Sequence, residues 1–316
     1  PLVWIALSVV ALGLGYAVNA FDVVPWLLLP PLHVMAVVLP VLVITWLAVR
    51  GLNAGAPQRT WAVFTSGMTL SLPFIFLMEI VLIGFTSMFV LLALLAEPDL
   101  QFTFTRLVSY VQASTNPDPQ RLLSMLEPVL LHPAVPFAML LDLGLIVPLI
   151  EELFKPIGVW LLVNQKLKPR QGFALGAISG AGYAVVETLG LQLAGELWLP
   201  MVSVRAVTGL LHVFTAGLVG YGLVLAWQER RYLRLAALYL VSVVLHGLWN
   251  SMVVLTTYTT LLKDELQIPV DEMTIPAYWQ VGGAVGLTVL ALGVFGLLIR
   301  QNRVLQPAHA HAEPAE

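Results

Sequence analysis

One long apolar stretch decides the fold of this chain: residues 134–164 read AVPFAMLLDLGLIVPLIEELFKPIGVWLLVN. It exceeds the roughly 20 apolar residues that a membrane-spanning helix needs. Near its middle, Glu151 and Glu152 stand side by side, and Lys155 follows one turn later. A charge at a bilayer centre costs roughly 2.5 to 3.5 kcal/mol on insertion scales, so these three residues indicate a functional site that faces the protein interior.

The composition is that of a membrane protein. The 316 residues are 59% hydrophobic and only 10% charged, and the mean hydropathy of +0.89 is too high for an ordinary soluble protein. The formal net charge of −3 and the lack of a basic run argue against a nucleic-acid partner. The chain has no Cys, which excludes disulfides, a thiol nucleophile and a Cys-ligated zinc site.

Apolar stretches of spanning length occur eight times. The predicted fold is therefore an all-α, polytopic membrane protein with about eight transmembrane helices, in which residues 1–300 form a single transmembrane domain. Pro73 in the third stretch is expected to kink it or to mark the point where an interfacial segment becomes a span. The predicted spans are residues 2–18, 32–49, 61–96, 134–164, 172–195, 200–227, 235–262 and 277–300.

The basic residues alternate as eight spans require. With the N-terminus inside, ten Lys and Arg residues fall in cytoplasmic segments and three fall in outer loops, in agreement with the positive-inside rule. Both termini are therefore predicted to be cytoplasmic. The ten are Arg50, Arg59, Lys166, Lys168, Arg170, Arg230, Arg231, Arg234, Arg300 and Arg303, and the three are Arg106, Arg121 and Lys263.

Two segments outside the spans differ from them in composition. Residues 98–133 form an extracytoplasmic loop with apolar residues at helix-like spacing, which fits either interfacial helices or an ordinary packed loop. Residues 301–316 end in PAHAHAEPAE and are predicted to be a disordered cytoplasmic tail. His309 and His311 in this tail are expected to be solvated and not to bind a metal.

The fifth span carries one face that runs from small residues to an acid: Gly172, Gly176, Gly180, Tyr183 and Glu187. Such a small-xxx-small pattern predicts close packing against a neighbouring helix, which brings Glu187 into the bundle interior.

The sixth and seventh spans carry polar faces as well. Arg205 and His212 lie seven residues apart in the sixth span, and His246 and Asn250 lie four apart in the seventh, so that each pair shares one helical face. Glu152 is expected to pair with Lys155 or with a neighbour. Arg205 is expected to form a structural ion pair with Asp142.

The candidate site residues are predicted to lie at similar depth. Each stands 12 to 18 residues from the basic residue at the cytoplasmic end of its helix: Glu151, Glu187, His212, His246 and Asn250. A spread of six residues is about 9 Å at the rise of an α-helix, so one layer near the bilayer midplane can hold all of them.

The motifs of several intramembrane hydrolases are absent. The sequence has no G-x-S-x-G, no H-E-x-x-H and no pair of membrane aspartates. The remaining Glu, His, His and Asn set suits a carboxylate that activates water, with imidazoles and an amide that stabilise the oxyanion. The same His and Glu side chains can also hold Zn²⁺ with one position left for water.

Four motifs in order give the chain a resemblance to a known family. They are VPLIEELFK (residues 147–155), GAGYAVVETLG (residues 180–190), Arg205 with His212, and LHGLWN (residues 245–250). The set resembles the PrsW family of intramembrane proteases, which is related to the type II CAAX prenyl endopeptidases and to bacteriocin-processing proteins. The sequence Tyr183-x-x-x-Glu187 stands where the CAAX-type relatives have F-x-x-x-H.

The resemblance implies an endopeptidase of the bacterial cytoplasmic membrane that cleaves a membrane-associated protein, which in the family's best-known role is an anti-sigma factor. Its catalytic core covers about residues 134–262. By position, Glu151 is the base that activates water, Glu152 supports it, and Asn250 is an oxyanion partner. His212, His246 and Glu187 are catalytic or metal-binding. The metal is Zn²⁺ if one is used, and a metal-free glutamate mechanism is the alternative.

Two other classes of function use the same residues. A transporter or channel could relay protons or bind a cation through these acids and imidazoles, although the sequence shows no pair of similar halves. A non-catalytic membrane scaffold could retain them for packing.

Overall fold

The computed structural model describes residues 2–190 and 198–307. The described residues are helical with no strand, so the all-α prediction is confirmed. The α-helices are α1 (Leu2–Ala20), α2 (Pro25–Val49), α3 (Pro57–Thr69), α4 (Ser71–Leu95), α5 (Pro98–Ala113), α6 (Pro119–Leu130), α7 (Ala134–Leu141), α8 (Val147–Phe154), α9 (Ile157–Trp160), α10 (Pro169–Leu189), α11 (Trp198–Glu229), α12 (Tyr232–Thr260) and α13 (Trp279–Leu305).

Within those residues, eight helical segments are long and apolar enough to cross a membrane, as predicted. The third comprises α3 and α4, which are separated at Leu70. The break comes three residues before Pro73, whose missing N–H and ring oppose a continuous helix. An irregularity near Pro73 is therefore present as predicted, and an interfacial position of α3 stays a prediction. The cytoplasmic location of both termini stays a prediction.

The fourth span is less regular than its sequence predicted. A π-helical turn, Asp142–Ile146, lies between α7 and α8, and α8 ends at Phe154 before α9 begins at Ile157. Both irregularities stand next to a proline: Pro148 follows the π-helical turn and Pro156 follows α8. A proline has no N–H to continue the helical ladder, which accounts for the interruptions.

The segments outside the spans are also helical in part. Residues 98–133 contain α5 and α6, and their position at the membrane interface stays a prediction. The tail was predicted to start at residue 301, but α13 continues to Leu305. Asn302 explains this extension, because its side chain donates hydrogen bonds of 2.9 Å to the carbonyls of Ala48 and Arg50. His309 and His311 lie outside the described residues.

The chain divides into two compact units. The first comprises residues 1–76, 150–245 and 291–316, and the second comprises residues 77–149 and 246–290. Four helices contribute residues to both units: α4, α8, α12 and α13. The assignment of residues 1–300 to a single transmembrane domain stays a prediction.

The first unit is built around α10 and α11. Residues 172–185 of α10 are all buried, and so is most of α11 from Thr208 to Ala226. Helices α2 and α3 pack on α10, and α1 packs on α2. A helix that is apolar and buried on every side has no face left for lipid, which suits a central element of a bundle.

The second unit has its own apolar contacts. Tyr258 of α12 packs with Leu262, Ile268 and Ile275, and its hydroxyl donates a hydrogen bond to the carbonyl of Leu130. These contacts connect α12 to the end of α6.

The predicted small-residue face of α10 packs directly on the backbone of α11. A β-carbon added to Gly172 or Gly180 would lie 2.5 Å from the carbonyl oxygen of Gly220 or His212, respectively, and one added to Gly176 would clash with the carbonyl of Ala216. The absence of side chains therefore allows the two helices to approach closely over about two turns.

Replacing Gly176 with Ala tests this close approach. The added methyl group must push the helices apart, so Gly176→Ala should lower the stability of the protein by about 1 to 3 kcal/mol. Thermal unfolding in detergent measures the change. Gly293→Ala is the matched control, because nothing lies within 4 Å of a β-carbon there and Ala favours a helix over Gly. Equal shifts in Tm for both variants would contradict the packing.

Candidate active site

Glu151, Glu152 and Lys155 form a buried charge cluster on α8 and at its end. Lys155 Nζ lies 2.9 Å from Glu151 Oε2 and 2.8 Å from Glu152 Oε1. The predicted pairing of Glu152 with Lys155 is therefore confirmed, and Glu151 shares the same ammonium group. The side chains of Glu152 and Lys155 are 0% exposed, whereas that of Glu151 is 7% exposed. The two carboxylates thus differ in their access to solvent.

The end of α8 fixes this cluster in place. Pro156 follows Lys155, so the backbone leaves the helix there. Ser179 of α10 donates a 2.6 Å hydrogen bond to the Lys155 carbonyl and accepts one from the N–H of Gly158 at 3.2 Å. Ser71 donates to the carbonyl of Phe154 at 3.2 Å. Side chains from two other helices therefore satisfy backbone groups that the broken helix cannot pair.

His212 lies in the same unit, on the helix that packs against the glycine face of α10. It is 1% exposed. Its Nε2 lies 2.9 Å from Glu187 Oε2, and the edge of the Tyr183 ring meets the imidazole with centroids 5.3 Å apart. Lys155 Nζ lies 5.3 Å from the centroid of the same Tyr183 ring. Tyr183 is therefore in contact with both the imidazole and the charge cluster on α8.

Glu151 and His212 come close enough to act on one small ligand. The ligand atoms that they offer lie within 4.8 Å of each other, and both side chains are buried. A carboxylate oxygen and an imidazole nitrogen are ligands that Zn²⁺ accepts. The two residues therefore form a possible His/Glu metal site, and they are equally placed to hold a water molecule between them.

Glu187 differs from the other predicted ligands. It is in contact with His212, as a shared site requires, but its carboxylate also forms an ion pair with Arg205. The prediction that Arg205 pairs with Asp142 is wrong: Arg205 pairs with Glu187, and Asp142 accepts a 2.6 Å hydrogen bond from Thr86. The sequence indicated the depth of these groups but not which way each helix is rotated.

His246 and Asn250 belong to the second unit. His246 is 2% exposed and offers one possible metal-ligand atom. Asn250 Nδ2 donates a 2.9 Å hydrogen bond to the carbonyl of Leu143, in the π-helical turn. One of the two amide hydrogens of Asn250 is therefore used within the fold.

Ser179 is a site residue that the sequence analysis did not identify. It lies in the glycine-rich stretch of α10, where a small residue is expected for packing alone. The proline after Lys155 was a usable signal, because a helix that ends in a membrane needs partners for its last carbonyl groups.

Comparison with known families supports the resemblance of the motifs. Residues 60–271 match the model of one family, described as PrsW family intramembrane metalloprotease. No curated protein and no solved structure matches the chain. The matched segment covers more than half of the sequence and contains every candidate site residue named above.

Proposed function

The chain belongs to the PrsW family of intramembrane metalloproteases, and from this membership we propose that Glu151 directs water onto a peptide bond of a membrane-protein substrate. The protein is an integral, multi-pass membrane protein and a membrane endopeptidase. One observation carries the proposed mechanism: Glu151 and His212 are buried with their ligand atoms within 4.8 Å of each other.

The proposed base must exchange a proton during each turnover. Water attacks the peptide carbonyl, its proton passes to the Glu151 carboxylate, and that proton then goes to the leaving amine. The products are a new carboxyl group and a new amine. Lys155 supports this exchange, because it keeps a carboxylate partner in Glu152 while Glu151 is protonated.

The exposure of the two carboxylates favours Glu151 over Glu152 as the base. Glu152 is 0% exposed and pairs with Lys155. Glu151 makes an equivalent contact with Lys155 but keeps 7% of its side chain exposed. A base has to reach a water molecule, and the more enclosed carboxylate suits a supporting role.

His246 is proposed to take part in the reaction because it lies in the family motif LHGLWN, residues 245–250. Ser242 of this helix donates a 3.3 Å hydrogen bond to the carbonyl of Thr215 on α11. Helices α11 and α12 are joined by only two residues, which favours an antiparallel pair. From the family motifs we propose that His246, one turn beyond Ser242 in the sequence of α12, acts in the same reaction as His212. With Asn250, these groups would stabilise the oxyanion.

The residues also fit a zinc ion. Two imidazoles and one carboxylate, with a position left for water, form a common catalytic zinc site. His212 and His246 would hold the ion with Glu151, and bound zinc would activate water by lowering its pKa. Glu151 is the proposed carboxylate ligand, because it is buried and its ligand atom lies within 4.8 Å of that of His212, whereas Glu187 is 23% exposed and pairs with Arg205. In this case Glu151 would be a ligand and not the base.

The proposed substrate is a membrane-associated protein, with an anti-sigma factor as the class that the family resemblance implies. The protein would act within the cytoplasmic membrane of a bacterium. Substrate recognition would therefore take place in the lipid bilayer.

Replacing Glu151 and Glu152 separately with Gln tests the assignment of the base. Both changes remove one carboxylate from Lys155 at nearly the same distance, 2.9 and 2.8 Å, so their effects on stability should be similar. Glu151→Gln should abolish cleavage of a tagged single-span anti-sigma factor in liposomes, while Glu152→Gln should retain part of it. Normal cleavage by Glu151→Gln would refute the assignment of Glu151 as the base. No cleavage by the unsubstituted protein would refute the proposed substrate class.

Metal content distinguishes the two mechanisms. If Glu151 is the base, elemental analysis of the purified protein should find no stoichiometric zinc. About one zinc ion per chain, lost in His212→Ala and His246→Ala, would instead make Glu151 a zinc ligand and refute its role as the base. His132→Ala is a matched control, because His132 pairs with Glu97 at a partly exposed position. A zinc-free protein that still cleaves the tagged anti-sigma factor would exclude the zinc mechanism and support the metal-free glutamate mechanism.

A further inference from the structure

Arg205 is a cation in the membrane-spanning helix α11, and the proposed reaction gives it no role. Its guanidinium group makes two contacts with consecutive residues of α10: an ion pair with Glu187 and a 3.4 Å hydrogen bond from Nε to Thr188 Oγ1. Only 15% of the Arg205 side chain is exposed. A buried guanidinium group is costly without partners of good geometry, and its planar fork holds a partner in a fixed orientation.

The Glu187 carboxylate connects Arg205 to His212. Its Oε2 atom contacts both the guanidinium group and His212 Nε2, the latter at 2.9 Å. A carboxylate beside an imidazole selects which ring nitrogen carries the proton and fixes the ring orientation. A His212 tautomer that donates from Nε2 to Glu187 leaves Nδ1 as the nitrogen for water or a metal.

Two more residues of α10 contact His212: Tyr183 contacts the imidazole, and Gly180 contacts the backbone. The Tyr183 ring meets the imidazole edge-on, at an interplanar angle of 84°. Gly180 lies against the backbone of His212, where a β-carbon would come within 2.5 Å of the carbonyl oxygen. Gly180, Tyr183 and Glu187 follow one another at three- and four-residue steps and so share one face of the helix. His212 is therefore fixed by a single face of α10, and Glu187 provides the charged contact.

We propose that Arg205 is a positioning residue that orients His212 through Glu187, and that Glu187 is the orienting carboxylate and not a metal ligand. This inference rests on the proposed function of His212. Arg205 anchors the carboxylate through two contacts: the ion pair holds Glu187, and the hydrogen bond to Thr188 holds the next residue of α10. Removing the guanidinium group allows Glu187 to leave the imidazole, and His212 loses its fixed orientation.

A double-mutant cycle on kcat and KM tests the connection. Arg205→Met and Glu187→Gln should each lower kcat for the tagged anti-sigma factor by about 10- to 100-fold, as other orienting partners of histidines do, with KM unchanged. The double variant should be no slower than the slower single variant, because both changes break one connection. Additive losses would overturn the proposal, as would a lower Tm with unchanged kcat.

The conservative variant Arg205→Lys adds a second criterion. Lys keeps the charge that pairs with Glu187 but lacks the planar fork that also reaches Thr188. Its kcat should lie between those of the unsubstituted protein and Arg205→Met. If Arg205→Met does not fold, Arg205→Lys and Glu187→Gln carry the test. Arg231→Met is the matched control, since Arg231 forms a partly exposed ion pair with Glu229 at 2.9 Å without contact to a histidine.

A spectroscopic measurement separates this proposal from the protease activity itself. The chain has six histidines, and ¹⁵N labelling with a His212→Gln reference identifies the His212 signals. Arg205→Met and Glu187→Gln should change the tautomer reported by these signals, and Arg231→Met should not. Identical His212 spectra in all variants would overturn the positioning role. An inactive protein with the expected spectra would refute the proposed function and leave the positioning role supported.

Discussion

The contact of one buried ammonium group with two carboxylates is the constraint on which the rest of the structure depends. Lys155 lies within 2.9 Å of both Glu151 and Glu152. None of these groups is tolerated alone at membrane depth, so the three have to be held together. The geometry that achieves this is a helix that ends at a proline, with its free carbonyls bonded by Ser71 and Ser179. The charge cluster and the break in the helix therefore belong to one arrangement.

Ser179 connects the charge cluster to the helix that packs against His212. It lies on α10, one residue before Gly180, where the glycine face allows the backbone of α11 to come close. That approach relates Glu151 on α8 to His212 on α11, since Tyr183 of α10 contacts both His212 and Lys155, the cation that pairs with Glu151. Both the charge cluster and His212 are thus in contact with α10. Function depends on packing here because a small change in the approach of α11 moves the imidazole relative to the base.

The sequence predicted what depends on composition and on spacing within one helix. Eight spans follow from apolar length, the break near Pro73 from its missing N–H, and the pairing of Glu152 with Lys155 from a three-residue step. The partner of Arg205 was predicted wrongly, because the choice between Asp142 and Glu187 depends on helix rotation. Rotation is set by contacts between helices, such as those of the glycine face, and a single sequence contains no direct record of them.

Thermal unfolding of Lys155→Met in detergent, compared with the double variant Lys155→Met/Glu152→Gln, tests the central claim most directly. The single change leaves two buried carboxylates without their shared cation, which should cost about 3 to 5 kcal/mol. The double change restores the net charge of the cluster, so Tm should recover in part. A Tm for Lys155→Met equal to that of the unsubstituted protein, or no recovery in the double variant, would contradict the account.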